Sequence, residues 1–200
     1  MLKLVSKSQD DLALIEQFKS GNENAFKLLV NKHKEKIRNL IWLTLGNSNH
    51  TDDLAQEVFL KVYYHVKDFR GDAQFTTWLY RTTINLCRDE LRKKRFRKMF
   101  VFFEESNNSP QPCRIEEIPQ GKLQGENHTE KNNIQEIVRQ GLAKLPDKLS
   151  VPLILKDIEG FNYQEIAKVQ QCELGTVKSR IFRAREALKD ILKPLKNELI

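Results

Sequence analysis

Helical periodicity runs through residues 11–97 of this chain and again through 134–192, and it fails between residues 104 and 133. That failed stretch holds Pro110, Pro112, Pro119, Gly121 and Gly125 among Asn, Ser, Gln and Glu. Such a composition cannot bury enough apolar surface to offset the entropy of ordering it. The interruption predicts two modules, residues 1–98 and 134–200, joined by a flexible polar linker over 99–133. A chain of 200 residues has room for two small modules and no more.

Both modules read as all-α. Over residues 25–45, Phe26, Leu29, Val30, Ile37, Leu40, Ile41 and Leu45 recur at three- and four-residue steps with Lys32, Lys34, Lys36 and Arg38 between them. A shorter helix over 11–19 precedes it and stops at Gly21, where a left-handed residue costs little. A third helix starts at Thr51 or Asp52, with acids in its first turn complementing the helix dipole. Its apolar stripe is Leu54, Ala55, Val58, Phe59, Val62, Tyr63 and Val66. After a loop at residues 69–72, a fourth helix is predicted over 75–97, making one four-helix bundle. Helices over 134–145, 147–158, 163–170 and 176–192 follow the linker. Pro152 falls inside the second of these and is tolerable if it lies in the first turns. The Phe100-Val101-Phe102-Phe103 run fits an aromatic patch or a helix tail.

Charge narrows the partners. The formal net charge is +7, which favours polyanions. Residues 70–98 carry nine basic against three acidic side chains, while residues 104–133 carry three basic against six acidic, so the linker should stay off nucleic acid. Cys87, Cys113 and Cys172 lack the paired spacing of a zinc site or a disulfide framework, which fits a reducing cytoplasm. His33, His50, His65 and His128 lack ligand spacing, so neither a metal nor a cofactor is expected. No segment reads as a signal peptide or a membrane span, and no membrane insertion is expected.

Three constellations carry chemistry. Residues 163–180 read as a helix-turn-helix: Ala167 is small where two helices would cross, Ile166, Leu174 and Val177 form an apolar clamp, and Thr176 is placed to cap the second helix. That helix would present Lys178, Ser179, Arg180, Phe182, Arg183 and Arg185 to a major groove, where Arg and Lys read guanine or hold phosphate. A plain helical hairpin with a solvated basic face is the competing reading. In residues 69–85, Phe69, Phe75 and Trp78 interleave with Arg70, Thr77, Arg81 and Asn85, suiting unstacked bases. The same aromatics could equally be core. Asp52, Asp53, Gln56 and Glu57 form a polar rim on an apolar helix. With no nucleophile or metal ligand nearby, a protein-docking surface fits better than an acid pair.

Taken together, the chain resembles the extracytoplasmic-function sigma factors of bacterial RNA polymerase, closest in wording to their envelope-stress branch. The anchors are residues 21–30, Asp52-Asp53-Leu54-Ala55-Gln56-Glu57-Val58-Phe59, Phe69-Arg70-Gly71-Asp72, Thr77-Trp78-Leu79-Tyr80-Arg81 and the run from Gly175-Thr176-Val177-Lys178-Ser179-Arg180 to Arg185, in family order. Glu173-Leu174 departs from the Pro-Val frequent in relatives. The resemblance implies sigma domain two over 1–98 and sigma domain four over 134–200. It implies that Asp53, Gln56 and Glu57 bind core RNA polymerase at the clamp helices of the largest subunit, with the second module on the beta flap. Phe69, Arg70, Phe75, Thr77, Trp78, Arg81, Asn85 and Arg88 would read and melt the minus-ten element on the non-template strand, with one base flipped into a pocket between the Phe69 loop and Asn85. Thr176, Lys178, Ser179, Arg180, Phe182, Arg183 and Arg185 would read the minus-thirty-five duplex. It implies no catalysis, a cytoplasmic location, and control by an anti-sigma factor that can hold the protein at the inner membrane. A self-sufficient helix-turn-helix regulator with a sensing or dimerising N-terminal bundle is the alternative.

Overall fold

A computed structural model describes residues 2–46, 50–71, 73–106 and 130–196. Asp72, Cys113, His128, the turn at 47–49 and the central part of the predicted linker lie outside the described residues. Among those described, all regular structure is helical.

The first module comprises α1 (Leu2–Lys19), α2 (Glu23–Leu45), α3 (Thr51–His65) with a short 3-10 turn (Val66–Asp68), and α4 (Phe75–Ser106). Gly21, at φ +102°, ends α1: its N–H donates to the Phe18 carbonyl and that of Asn22 to the Gln17 carbonyl, satisfying two terminal acceptors. The Asn22 side chain then accepts from the Asn24 N–H at 3.1 Å and opens α2. Ile15, Phe18, Leu29, Ile37, Leu40, Ile41, Val58, Val62, Leu79 and Ile84 fill the core. One charged cluster is buried with them. The His33 Nε2 lies 3.1 Å from both Asp11 oxygens, and the Lys32 Nζ is 2.7 Å from Asp11 Oδ1, fastening α1 to α2.

The second module comprises α5 (Glu130–Lys144), α6 (Asp147–Leu153) continuing into a π-helical turn (Ile154–Ile158), α7 (Tyr163–Gln170) and α8 (Leu174–Lys196). Val151, Ile154, Leu155, Ile166, Val169, Val177, Ile181 and Ala184 form its core. Pro152 is not in the first turn of α6. It is buried near the end, where it cannot donate to the Lys148 carbonyl, and the ladder slips to the wider register at Ile154. At Gly141, α5 and α8 approach so closely that an added Cβ would stand 2.8 Å from Leu188 Cδ1.

Several boundaries differ from the periodicity. Helix α1 begins at Leu2 rather than residue 11, α4 runs through the Phe100–Phe103 stretch to Ser106, and α5 begins at Glu130. No Gly or Pro interrupts these extensions, and a nucleated helix propagates until something stops it.

The two modules also pack on one another. Tyr80 of α4 is 2 % exposed, its ring 4.7 Å from that of Phe161 and its hydroxyl donating to Glu159 Oε2 at 2.6 Å. Trp42 of α2 lies under the Arg139 guanidinium at 5.0 Å, and Gly46 stands against Ala143. Arg88 and Arg95 reach Asp147 at 3.9 and 4.0 Å.

Candidate nucleic-acid interfaces

The second module builds its recognition helix in two steps. Asn162 caps α7 with a full capping box: its side chain accepts from the Glu165 N–H at 2.9 Å, and the Glu165 carboxylate accepts from the Asn162 N–H at 2.7 Å. Gln171, at φ +52°, then turns the chain left-handed into α8. Helix α8 starts at Leu174, so Thr176 lies inside it and does not cap it. The Glu173 carbonyl accepts the first helical bond, from Val177. With Val177, Ile181 and Ala184 inward, Lys178, Ser179, Phe182 and Arg183 project outward, and Phe182 is 69 % exposed. Two predicted readers are engaged elsewhere. The Arg180 guanidinium donates to Gln170 Oε1 at 3.1 Å, bracing the turn, and Arg185 forms a bidentate pair with Asp157, at 2.6 and 3.1 Å, which raises its pKa. Thr176 is half-buried.

The first module offers a different surface. Phe69, Phe75 and Trp78 form an aromatic triangle with centroids 5.8–6.0 Å apart at the start of α4. Lys19 holds the preceding loop by donating to the Phe69 carbonyl at 2.8 Å. The members differ in burial. Phe75 is 2 % exposed and Thr77 is also buried, so in this arrangement they support the site from within instead of offering a face to bases. Phe69 and Trp78 are half-buried, and Arg70 and Asn85 are exposed. Trp78, Arg81, Asn85 and Arg88 follow i, i+3, i+7 and i+10 spacing, which lines them along one stripe of α4. Asn85 sits two turns, about 10 Å, beyond Trp78 on that stripe. The Phe69 loop and Asn85 are therefore at separate levels of the helix.

Asp53, Gln56 and Glu57 are exposed together on α3. Beside them the structure opens a groove of about 580 Å³ whose floor includes Phe26, Val30, Phe59, Leu60 and Tyr63. Arg38 and Asp52 close one end with a 2.6 Å hydrogen bond. The sequence reading missed this floor, although Leu60, an apolar residue off the buried stripe and 56 % exposed, was its available signal. It also missed Tyr80, Glu159 and Phe161, which no local pattern marks. Among the described residues no cluster of His, Cys, Asp or Glu could hold a metal ion, and no helix is long and apolar enough to cross a membrane.

The match to known proteins follows the same division. The family model for sigma-70 region 2 covers residues 29–97 and that for sigma-70 region 4 covers residues 135–188. The RNA polymerase sigma-H factor of Pseudomonas aeruginosa is 38 % identical over 95 % of this chain and 97 % of its own length. The ECF RNA polymerase sigma-E factor of Escherichia coli K12 is 34 % identical over 96 % of this chain and 98 % of its own. The chain is an extracytoplasmic-function sigma factor. As such it is a transcription initiation factor that binds core RNA polymerase and promoter DNA. The fold of this sigma factor is shared by CnrH, solved in complex with the cytosolic domain of CnrY, with a TM-score of 0.67 and 24 % identity over 92 % of this chain and 98 % of that one. It is shared too by the sigma factor RpoE of Bartonella quintana, solved with the anti-sigma factor NepR, with a TM-score of 0.58 and 22 % identity over 84 % and 96 %.

Proposed function

We propose that residues 1–98 form the module that binds core polymerase and reads the minus-ten element, and that residues 134–200 read the minus-thirty-five duplex. The observation that carries this is the pairing of two unlike surfaces in one chain. One is an aromatic and cationic stripe on α4 with exposed Asn85, beside exposed Arg70 in the preceding loop, suited to unstacked bases. The other is a capped recognition helix with exposed Lys178, Ser179, Phe182 and Arg183, suited to a major groove. Asp53, Gln56 and Glu57 rim the groove that takes the clamp helices of the largest subunit, and the second module meets the beta flap. Phe69, Trp78, Arg81, Asn85 and Arg88 contact the melted non-template strand, while Phe75 and Thr77 hold the loop and helix that present them. Thr176, Arg180 and Arg185 serve phosphates at the edge of the duplex site, Arg185 exchanging Asp157 for DNA.

The protein works as a specificity subunit in the cytoplasm, with no catalytic step of its own. An anti-sigma factor controls it, as NepR accompanies the Bartonella quintana protein. Mixing the protein with core RNA polymerase, transcribing a genomic fragment library and probing each start with permanganate tests the reading. Specific starts with reactive thymines are expected. Absence of transcription, with tight binding of a palindrome by the protein alone, would overturn it in favour of a self-sufficient regulator.

A further inference from the structure

A buried polar pair stands behind the aromatic triangle of the first module. Asp11 of α1 is 1 % exposed and His33 of α2 is 5 % exposed, so neither can reach a nucleic acid directly. The Asp11 carboxylate can only accept, and the imidazole Nε2, 3.1 Å from both of its oxygens, therefore carries the hydrogen. That shared bond limits how the ring can turn. So held, the imidazole meets Phe75 in an edge contact, with centroids 5.6 Å apart and planes at 62°. Phe75 is the buried member of the triangle, and its ring lies 6.0 Å from that of Phe69 and 5.9 Å from that of Trp78. Those two are half-buried at the surface.

We propose that His33, held by Asp11, is a positioning residue for the minus-ten site: its ring seats Phe75, and Phe75 sets how Phe69 and Trp78 are presented to unstacked bases. A buried ion pair adds little stability over apolar side chains of the same volume, and what it adds here is the orientation of a ring. Interiors are packed at the density of organic crystals, so a gap opened behind Phe75 is passed on to the rings in front of it. The role in opening rests on the triangle being the minus-ten site. The seating of Phe75 does not.

Two variants separate the ring from the hydrogen bond. His33→Gln keeps an N–H donor for Asp11 and removes the ring, whereas His33→Phe keeps a ring against Phe75 and leaves Asp11 to Lys32, whose Nζ is 2.7 Å from Oδ1. Both are made in the full chain on a Trp42→Phe background, where Trp78 is the remaining tryptophan. Stability, read as the urea midpoint, should follow the donor and fall further in His33→Phe. The emission maximum and acrylamide quenching of Trp78 should follow the ring, as should permanganate reactivity of minus-ten thymines at saturating holoenzyme on a promoter recovered from the fragment library. Both therefore change in His33→Gln, with opening reduced several-fold, and both stay close to the parent in His33→Phe. Opening that tracks stability instead overturns the proposal, and so does a parental Trp78 signal in His33→Gln. A changed Trp78 signal with parental opening overturns the role in opening. Should His33→Phe fail to fold, His33→Gln alone decides, since it is expected to keep the donor and the midpoint while losing opening. Failure of the promoter reading shows separately, as absent transcription by the parent holoenzyme, and the Trp78 comparison still decides the seating.

Discussion

At the scale of single residues, Asp11 is a buried carboxylate held by His33 and Lys32. Burial alone raises its carboxyl pKa, but hydrogen bonds from His33 and Lys32, with their charges, outweigh burial and bring the pKa below its ordinary 3.8. Replacing it by Asn removes charge-assisted bonds in a buried setting and should cost about 1.5–3 kcal/mol, read by urea denaturation at neutral pH. Because the folded value lies below the unfolded one, the carboxylate contribution is complete above about pH 4–5 and fades as pH falls through the folded value. The gap between wild type and Asp11→Asn should accordingly narrow at pH 3. Burial outweighs the opposing charge of Arg88 at Cys87, whose thiol is pushed up to about 12. It should resist alkylation in the native protein and react on unfolding, as mass spectrometry of labelled chains can establish. In the proposed promoter readout the contacts fall to exposed residues. Arg183→Ala should cost about 1–3 kcal/mol of promoter discrimination, measured as competition between cognate and altered minus-thirty-five elements. Unchanged discrimination would mean that the register of the recognition helix is wrong.

At the scale of elements, helix ends explain what periodicity could not. The stripes of α2 and α3 were legible because their apolar residues repeat at helical spacing over several turns. The start of α8 was not, since Glu173 carries no capping side chain of the usual kind, and Thr176, which has one, falls within the first turn instead of ahead of it. Likewise the turn before α8 places Gln171 at φ +52°, where a Cβ is strained by about 1–2 kcal/mol, although nothing in the local sequence marks a left-handed residue. Glycine relieves that strain and adds unfolded-state entropy, so Gln171→Gly should stabilise the second module by about 0.5–1 kcal/mol. A shifted denaturant midpoint with an unchanged slope would be the signature. On α4 the threonines inside the helix bond back to the preceding turn, Thr82 to the Trp78 carbonyl and Thr83 to that of Leu79 at 3.0 and 2.9 Å. The hydroxyls are thereby satisfied within the helix.

At the scale of the whole molecule, promoter spacing is a property of the assembly. The composition of residues 107–129 predicts a tether that sets no distance between its ends, so the polymerase is expected to hold the two DNA-reading modules at their separation. Inserting about ten Gly and Ser residues there adds less than about 0.6 kcal/mol of closure entropy and should leave transcription from a cognate promoter nearly unchanged. Moving the minus-ten and minus-thirty-five elements apart by a few base pairs should abolish it, and a run-off series over spacer lengths separates the two effects. The all-α class, the division into two modules, the helix-turn-helix and the basic excess over residues 70–98 were all readable from the order of residues. These are local signals, set by spacing along one chain segment and by the solvation of charge. Which aromatics of the stripe are core, with Phe75 inside and Trp78 at the edge, emerged only from the packed chain, as did the α2 floor of the groove beside Asp53. Packing alone brought Tyr80 to Glu159 and Arg88 to Asp147. Each of these depends on which surfaces from distant segments exclude water together, and hydrophobic burial is a property of the packed pair that neither segment states alone.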